Sequence, residues 1–296
     1  RQEPIKISRI KTNEEINRLS DFSNFYEFKI NPSDLPYSKK WTPIIESLFS
    51  KRQVPSGLVT FSLYGAFKRG IATGGNDFFA LSKSTLEKLN IDESNCCKCI
   101  TKSQQITKAI FTEDDFNALT DADKPVYCLD VKDDDNLAII NYIKQGEKLG
   151  YHQRYLTKNR NPWYKIESRK PAPILFGVFS RGRLKVIRNL TTAINFTCFH
   201  GFYPNMFGQP LIDKLFIYLL SDIGQEIIKT NKRSYGDNLD KFEPGDLNES
   251  LCPSQSQFAK IRDGEVLEVI NIAKTNQQLA IKMSNDLINK ILDPTG

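Results

Sequence analysis

The run Arg69-Gly70-Ile71-Ala72-Thr73-Gly74-Gly75-Asn76-Asp77-Phe78-Phe79-Ala80-Leu81 restricts this chain more than any other stretch. It holds too little charge for a surface linker and too much glycine for a helix. Its glycines and Asn76 allow left-handed backbone and close approach to another molecule. Phe78, Phe79 and Leu81 then restart a strand-like apolar pattern that would anchor the loop to a core. An anchored loop with several N–H groups turned outward suits an anion or a polymer backbone. The plainer reading is a tight turn between two strands.

The rest of the chain reads as a mixed α+β arrangement. Thr12 and Glu15 match a capping box for a short helix, with a strand from Phe25 to Ile30 after it. A second short helix is expected from Trp41 to Phe49, with Pro43 in its first turn. Strands from Leu58 to Phe67 and from Phe78 to Leu81 would flank the glycine loop, and Ser84 would cap a helix behind them. Pro125 to Val131 reads as a strand, and Asp133 to Lys148 as an amphipathic helix with Leu137, Ile140 and Ile143 on one face. Pro173 to Phe179 and Leu184 to Ile187 form a hairpin around Ser180-Arg181-Gly182-Arg183. A strand from Ile194 to Phe199 precedes one long helix from Pro210 to about Lys229. Beyond Pro253 the pattern is helical, with Val266, Ile270, Ile272 and Leu279 as packing positions. The expected divisions are a junction over 1–52, a main domain over 53–252 and a helical tail over 253–296.

At 296 residues, 40% of them hydrophobic and 26% charged, the chain is sufficient for one large domain or two small ones. The net charge of +6 is modest, but it is unevenly spread. Between Lys144 and Arg188 the basic residues face only Glu147 and Glu167. From Glu113 to Asp135 acidic residues dominate. Such an asymmetry fits one face meeting a polyphosphate and another turned to solvent; a solvated charge run with no partner is the alternative. Six cysteines make no disulfide framework in a chain this long, and no signal peptide or membrane-spanning run is visible, so a reducing cytoplasm is the expected compartment. Cys96 and Cys99 have C-x-x-C spacing but lack a second paired set of zinc ligands. Two histidines, with no Ser/His/Asp array, phosphate loop or metal cluster, argue against an independent enzyme with its own active site.

The glycine run resembles the G-I-x-T-G-x-N-x-F-F signature that opens the target-recognition region of gamma-class adenine-N6 DNA methyltransferases. These bacterial restriction-modification enzymes carry a TaqI-like C-terminal specificity domain. Further runs match that family in order: Tyr142 to Lys148, Tyr155-Leu156, Arg160-Asn161-Pro162-Trp163-Tyr164, Pro171 to Phe176, Asn195 to Tyr203, and Tyr235 to Leu247. Together they cover roughly 55–255. The family's catalytic half would need a glycine-rich turn for S-adenosylmethionine and an Asn/Asp-Pro-Pro-Tyr/Phe tetrapeptide that receives the flipped adenine. Neither is present: Asn31-Pro32-Ser33-Asp34 and Asn161-Pro162-Trp163-Tyr164 both fail the pattern. Asp130-Val131-Lys132 lacks the acidic partner of a nuclease centre. The chain, beginning at Arg1, reads as an excised recognition region that holds no cofactor itself. The resemblance implies double-stranded DNA and an upstream catalytic methyltransferase domain as partners, with no membrane. The alternative is a stand-alone specificity or scaffolding subunit that binds a separate methyltransferase through its helical tail, with an exposed Val266–Leu279 stripe.

Within that reading the candidate DNA contacts are Arg69, Thr73, Gly74, Asn76, Arg154, Lys158, Arg160, Tyr164, Arg181, Arg183, Lys185 and Arg188. Arg181 and Arg183 at a hairpin tip suit a groove or a phosphate clamp, or are simply polar tip residues. Arg154, Lys158 and Arg160 interleave with Trp163 and Tyr164, which suits phosphate contact plus stacking; core packing is the favoured role for Trp163. Thr73, Gly74 and Asn76 either contact phosphate or shape the turn. His200, among aromatic residues, is expected to be packed rather than catalytic.

Overall fold

The computed structural model describes residues 3–8, 10, 16, 26–35, 41–49, 55–132, 136–235 and 239–292. The chain divides into Arg1–Pro55 and Ser56–Gly296. In the first unit, β1 (Ile5–Ile7) and β2 (Phe28–Ile30) pair antiparallel, with Ile5 opposite Ile30. Helix α1 (Thr42–Phe49) follows, and Phe49 meets Phe28 edge-on at 5.0 Å between ring centroids. The expected Thr12–Glu15 helix lies outside the described residues.

The second unit is α+β and begins with β3 (Leu58–Thr60), which pairs with β16 (Leu251–Pro253). Its centre is a five-stranded sheet of β4 (Gly65–Arg69), β13 (Phe199–Pro204), β9 (Ile174–Gly177), β11 (Val186–Asn189) and β7 (Ile110–Phe111), in that spatial order. All its pairings are antiparallel except β11 with β7. Side chains alternate across a strand, so an unbroken apolar run such as Ile174-Leu175-Phe176 needs cover on both faces. The structure supplies it. Ile174, Phe176, Val186 and Phe202 join one core, while Leu175, Ile187 and Phe199 join the other.

The first core is closed by α6 (Ile212–Leu220), α7 (Asp222–Lys229), α10 (Asp263–Ala273) and α11 (Gln277–Leu292), with the short α8 (Pro244–Asn248) and α9 (Gln255–Phe258) beside them. The second lies under a four-stranded sheet ordered β12 (Ile194–Asn195), β6 (Cys96–Ile100), β8 (Tyr127–Leu129) and β5 (Ala80–Leu81). Helices α2 (Asn76–Phe79), α3 (Lys83–Leu89), α4 (Glu113–Asp121) and α5 (Leu137–Lys148) belong to this layer. Strand β10 (Phe179–Ser180) leaves the main sheet to pair with β15 (Leu239–Lys241), which pairs in turn with β14 (Arg233–Tyr235).

Several local expectations are corrected. Phe78-Phe79 close a helical turn, and strand begins only at Ala80. The Leu58–Phe67 stretch is interrupted by a 3-10 turn at Phe61–Leu63. The cap of α3 is Ser82, whose hydroxyl accepts from the Thr85 amide; Ser84 instead bonds Asp123. The long helix after Pro210 is broken at Ser221, which ends α6 and caps α7 at once. Its Oγ donates to the Tyr218 carbonyl and accepts from the Gly224 amide. That local bonding competes with continued helix. In the tail, Val266 and Ile270 are buried in the chain's own core, so they form no exposed partner stripe, and Leu279 is 41% exposed rather than packed.

Candidate nucleic-acid interface

The glycine loop leaves β4 at Arg69 and crosses directly over β12. A Cβ on Gly70 would lie 2.0 Å from the Phe196 carbonyl oxygen, so only glycine fits this crossing. Gly74 has φ +85°, the left-handed region, and a Cβ there would crowd Leu156. Thr73 is 1% exposed. Its hydroxyl donates to Asn76 Oδ1 at 2.5 Å and accepts from the Gly75 amide at 3.1 Å. Its side chain shapes the turn, while Asn76 sits at the exposed start of α2.

The loop is gripped from the segment 151–160. Arg160 donates to the Ala72 carbonyl at 2.6 Å and to the Thr73 carbonyl at 2.8 Å. Arg154 donates to the Gly74 carbonyl at 3.3 Å, approaches Asp77 Oδ1 at 3.5 Å, and stacks on the Tyr151 ring at 3.9 Å. Tyr151 Oη donates to Asp77 Oδ2. That hydrogen bond is the main reason the Asp77 carboxyl is held below its ordinary range. The expectation of an anion-facing loop thus meets an inverted arrangement on one side. Arginines from the same chain occupy the carbonyls, and the loop is a braced element.

Phe78 anchors the other side of the brace. It stacks on Tyr142 at 4.6 Å, meets Tyr151 and Trp163 at 4.9 and 5.2 Å, and accepts the Tyr142 hydroxyl at its carbonyl. Trp163 packs in this cluster and donates Nε1–H to Glu147. Tyr164 packs beside it edge-on at 5.8 Å, so both rings of the Trp-Tyr pair serve the core layer.

The hairpin residues separate by role. Arg181 is exposed at the tip, beside Gly182. Arg183 turns back, meeting Asp222 at 2.5 Å and donating to the Leu220 carbonyl. Lys185 donates to the Ser103 carbonyl at 2.5 Å, and burial lowers its affinity for a proton. Arg188 is held by Asp213 at 2.6 Å and by the Pro173 and Asn189 carbonyls. Arg183, Lys185 and Arg188 are therefore built into the fold. Lys158 is exposed, as is Arg69, whose carbonyl accepts from Arg169.

Strand register gathers the outward groups. Arg69, His200, Phe176 and Val186 form one row across β4, β13, β9 and β11. The glycine loop and the 178–185 hairpin therefore leave the same end of the sheet, about 10 Å apart at two strand spacings, with the return leg on β11 one spacing further. Arg69 and Arg181 belong to that end through these two loops, and the exposed Lys158 joins them through the 151–160 segment that grips the glycine loop. Tyr155, 76% exposed beside Lys158, was missed by sequence reasoning. The available signal was a Tyr-Leu pair in a basic stretch without apolar periodicity. His200 is buried, its Nε2 donating to the Phe242 carbonyl at 2.8 Å. Cys97 faces Cys128 across β6 and β8, and its hydrogen bond with Cys128, followed by burial, pushes the Cys97 thiol up. No described helix is long and apolar enough to cross a membrane.

The model of the family described as Type II methyltransferase M.Eco57I, C-terminal domain, matches residues 43–291, and the chain belongs to that family. It is 34% identical to the Type II methyltransferase M.AccI of Acinetobacter calcoaceticus over 97% of this chain and 54% of that protein. It is 26% identical to the Type II methyltransferase M.XamI of Xanthomonas campestris pv. amaranthicola over 45% of this chain and 24% of that one. The chain thus spans about half or less of these relatives. The fold is similar to part of the type IIG restriction endonuclease BpuSI, with a TM-score of 0.50 and 13% identity over 86% of this chain and 33% of the other.

Proposed function

We propose that this chain reads a short sequence in double-stranded DNA, as the specificity region of a site-specific adenine-N6 DNA methyltransferase. The observation that carries the reading is the shared sheet end, where the glycine loop, the 151–160 segment fastened to it and the hairpin present the exposed Arg69, Lys158 and Arg181. Guanidinium and ammonium groups there would hold phosphates and fix register, while loop side chains meet base edges. The methyl donor of such an enzyme is S-adenosylmethionine, and it supplies the transferable methyl group. The residues here do not fit it. The glycine turn after β4 is filled by the Arg154 and Arg160 guanidinium groups. We assign the donor, and the acceptor pocket for the flipped base, to a catalytic methyltransferase domain partnering this chain. Calorimetry with S-adenosylmethionine and the isolated chain should therefore give no binding heat; measurable binding would overturn that assignment.

The deciding experiment retains randomised duplexes on the chain at a low and a high salt concentration and sequences what is held. Enrichment of one adenine-containing word supports the proposal. Salt-sensitive retention without a preferred word refutes sequence reading by this chain alone. No retention at either salt refutes DNA binding by it altogether.

A further inference from the structure

Tyr155 and Leu156 stand outward on a pedestal built to hold them. Within the loop, the Thr157 hydroxyl is wholly buried and donates to the Tyr151 and Arg154 carbonyls. The Lys158 amide returns to the Arg154 carbonyl at 2.9 Å, and Asn159 Nδ2 donates to the Tyr155 carbonyl at 2.7 Å. Arg160 then fastens the segment to the glycine loop, and Leu156 Cβ lies close over Gly74. With its backbone fixed this way, the Tyr155 ring is 76% exposed and Leu156 40% exposed. Lys158 Nζ lies 5.7 Å from the Tyr155 ring centroid, and Arg154 sits at the base.

An exposed aromatic ring and an aliphatic neighbour on a rigid basic loop match the chemistry of a duplex from which a base is being drawn. Cations meet the flanking phosphates, and a flat apolar group occupies an opened base step. A rigid mount lowers the entropy lost on insertion. We infer that Tyr155, backed by Leu156, is a wedge that enters the DNA base stack next to the extruded nucleotide and holds the gap open. It is a positioning residue, because it touches the stack and not the reacting atoms. The inference rests on the DNA reading above and adds a residue and a role to it.

The test uses the full chain and the duplex word retained in the library experiment, with 2-aminopurine replacing each adenine in turn. The wedge parts the stack without the catalytic pocket, so wild type should raise 2-aminopurine fluorescence at one position, and duplex binding with no rise at any position would overturn it. Tyr155→Ala, read at a protein concentration that saturates the variant, should lose that rise and bind about tenfold more weakly. Its salt dependence should stay that of wild type, since no charge is removed. Tyr155→Phe should restore both fluorescence and affinity. Tyr155→Ala with wild-type fluorescence and affinity would overturn the wedge while leaving DNA reading intact. If no duplex is retained by wild type, the DNA reading fails and the wedge falls with it.

Discussion

Removing the Arg160 guanidinium separates a brace from a phosphate contact. Arg160 makes two hydrogen bonds, to the Ala72 and Thr73 carbonyls, and is half-buried over the Phe79 ring. Hydrogen bonds to a charged group contribute about 1.5–3 kcal/mol each. Partial exposure of the head places these at the lower end, so Arg160→Ala should cost about 3 kcal/mol. In a domain of this size each kcal/mol lowers the melting temperature by about 2–4 °C, which gives a fall of about 6–12 °C. Arg160→Lys keeps the charge but offers a single nitrogen, so it should recover only part of the loss. Thermal unfolding followed by circular dichroism reads the stability, and DNA titration across salt concentrations reads the phosphate count. The brace predicts a lower melting temperature with an unchanged salt slope. An unchanged melting temperature with a slope reduced by about one phosphate would refute it and return Arg160 to the DNA surface.

Gly74→Ala should destabilise the chain by about 1–2 kcal/mol, because alanine must adopt a left-handed backbone with its Cβ 3.1 Å from Leu156 Cβ; equal urea midpoints would refute this. Arg181→Ala should reduce the DNA salt slope by about one without changing the melting temperature. Arg183→Ala, which breaks the Asp222 and Leu220 contacts, should lower the melting temperature and leave the slope alone; the reverse pattern would exchange their roles. Burial holds the folded His200 imidazole below its ordinary value, so the unfolded chain takes up that proton first as pH falls. Its contribution is therefore full above about pH 6.5 and declines below it by at most about 1.4 kcal/mol per pH unit until the folded group titrates. Urea unfolding on either side of that value should show a smaller acid loss in His200→Gln, which keeps a donor for the Phe242 carbonyl; an identical loss would remove His200 as the cause.

Elements whose side chains repeat with one clear period were readable from sequence. Ile174-Leu175-Phe176 is an unbroken apolar run and became a strand covered on both faces. The helical spacing of Ile140 and Ile143 marked α5, although it starts at Leu137 behind the Asn136 cap. Four residues are too few to tell periods apart, so Phe78-Phe79 read as strand and folded as helix. Nothing in the apolar pattern of 210–229 marks a stop, because the break is made by the side chain of Ser221. The candidate site was legible as a set of cations near a glycine loop. Their direction was not: a count of charge does not say that Arg160 points inward to two carbonyls while Lys158 points out. That choice is made by the tertiary positions of Thr73 and Thr157.

The five-stranded sheet has one remaining consequence. It is a party wall between two cores: Phe176 and Val186 face the helices, while Leu175 and Ile187, their neighbours in the chain, face the layer that carries the glycine loop. A substitution on one face disturbs the tenants of that side only. The loop-bearing storey could therefore be refurnished over generations, with new side chains at the sheet end, while the helical storey kept its packing unchanged. Such a wall lets the outward chemistry drift without asking the foundation to move.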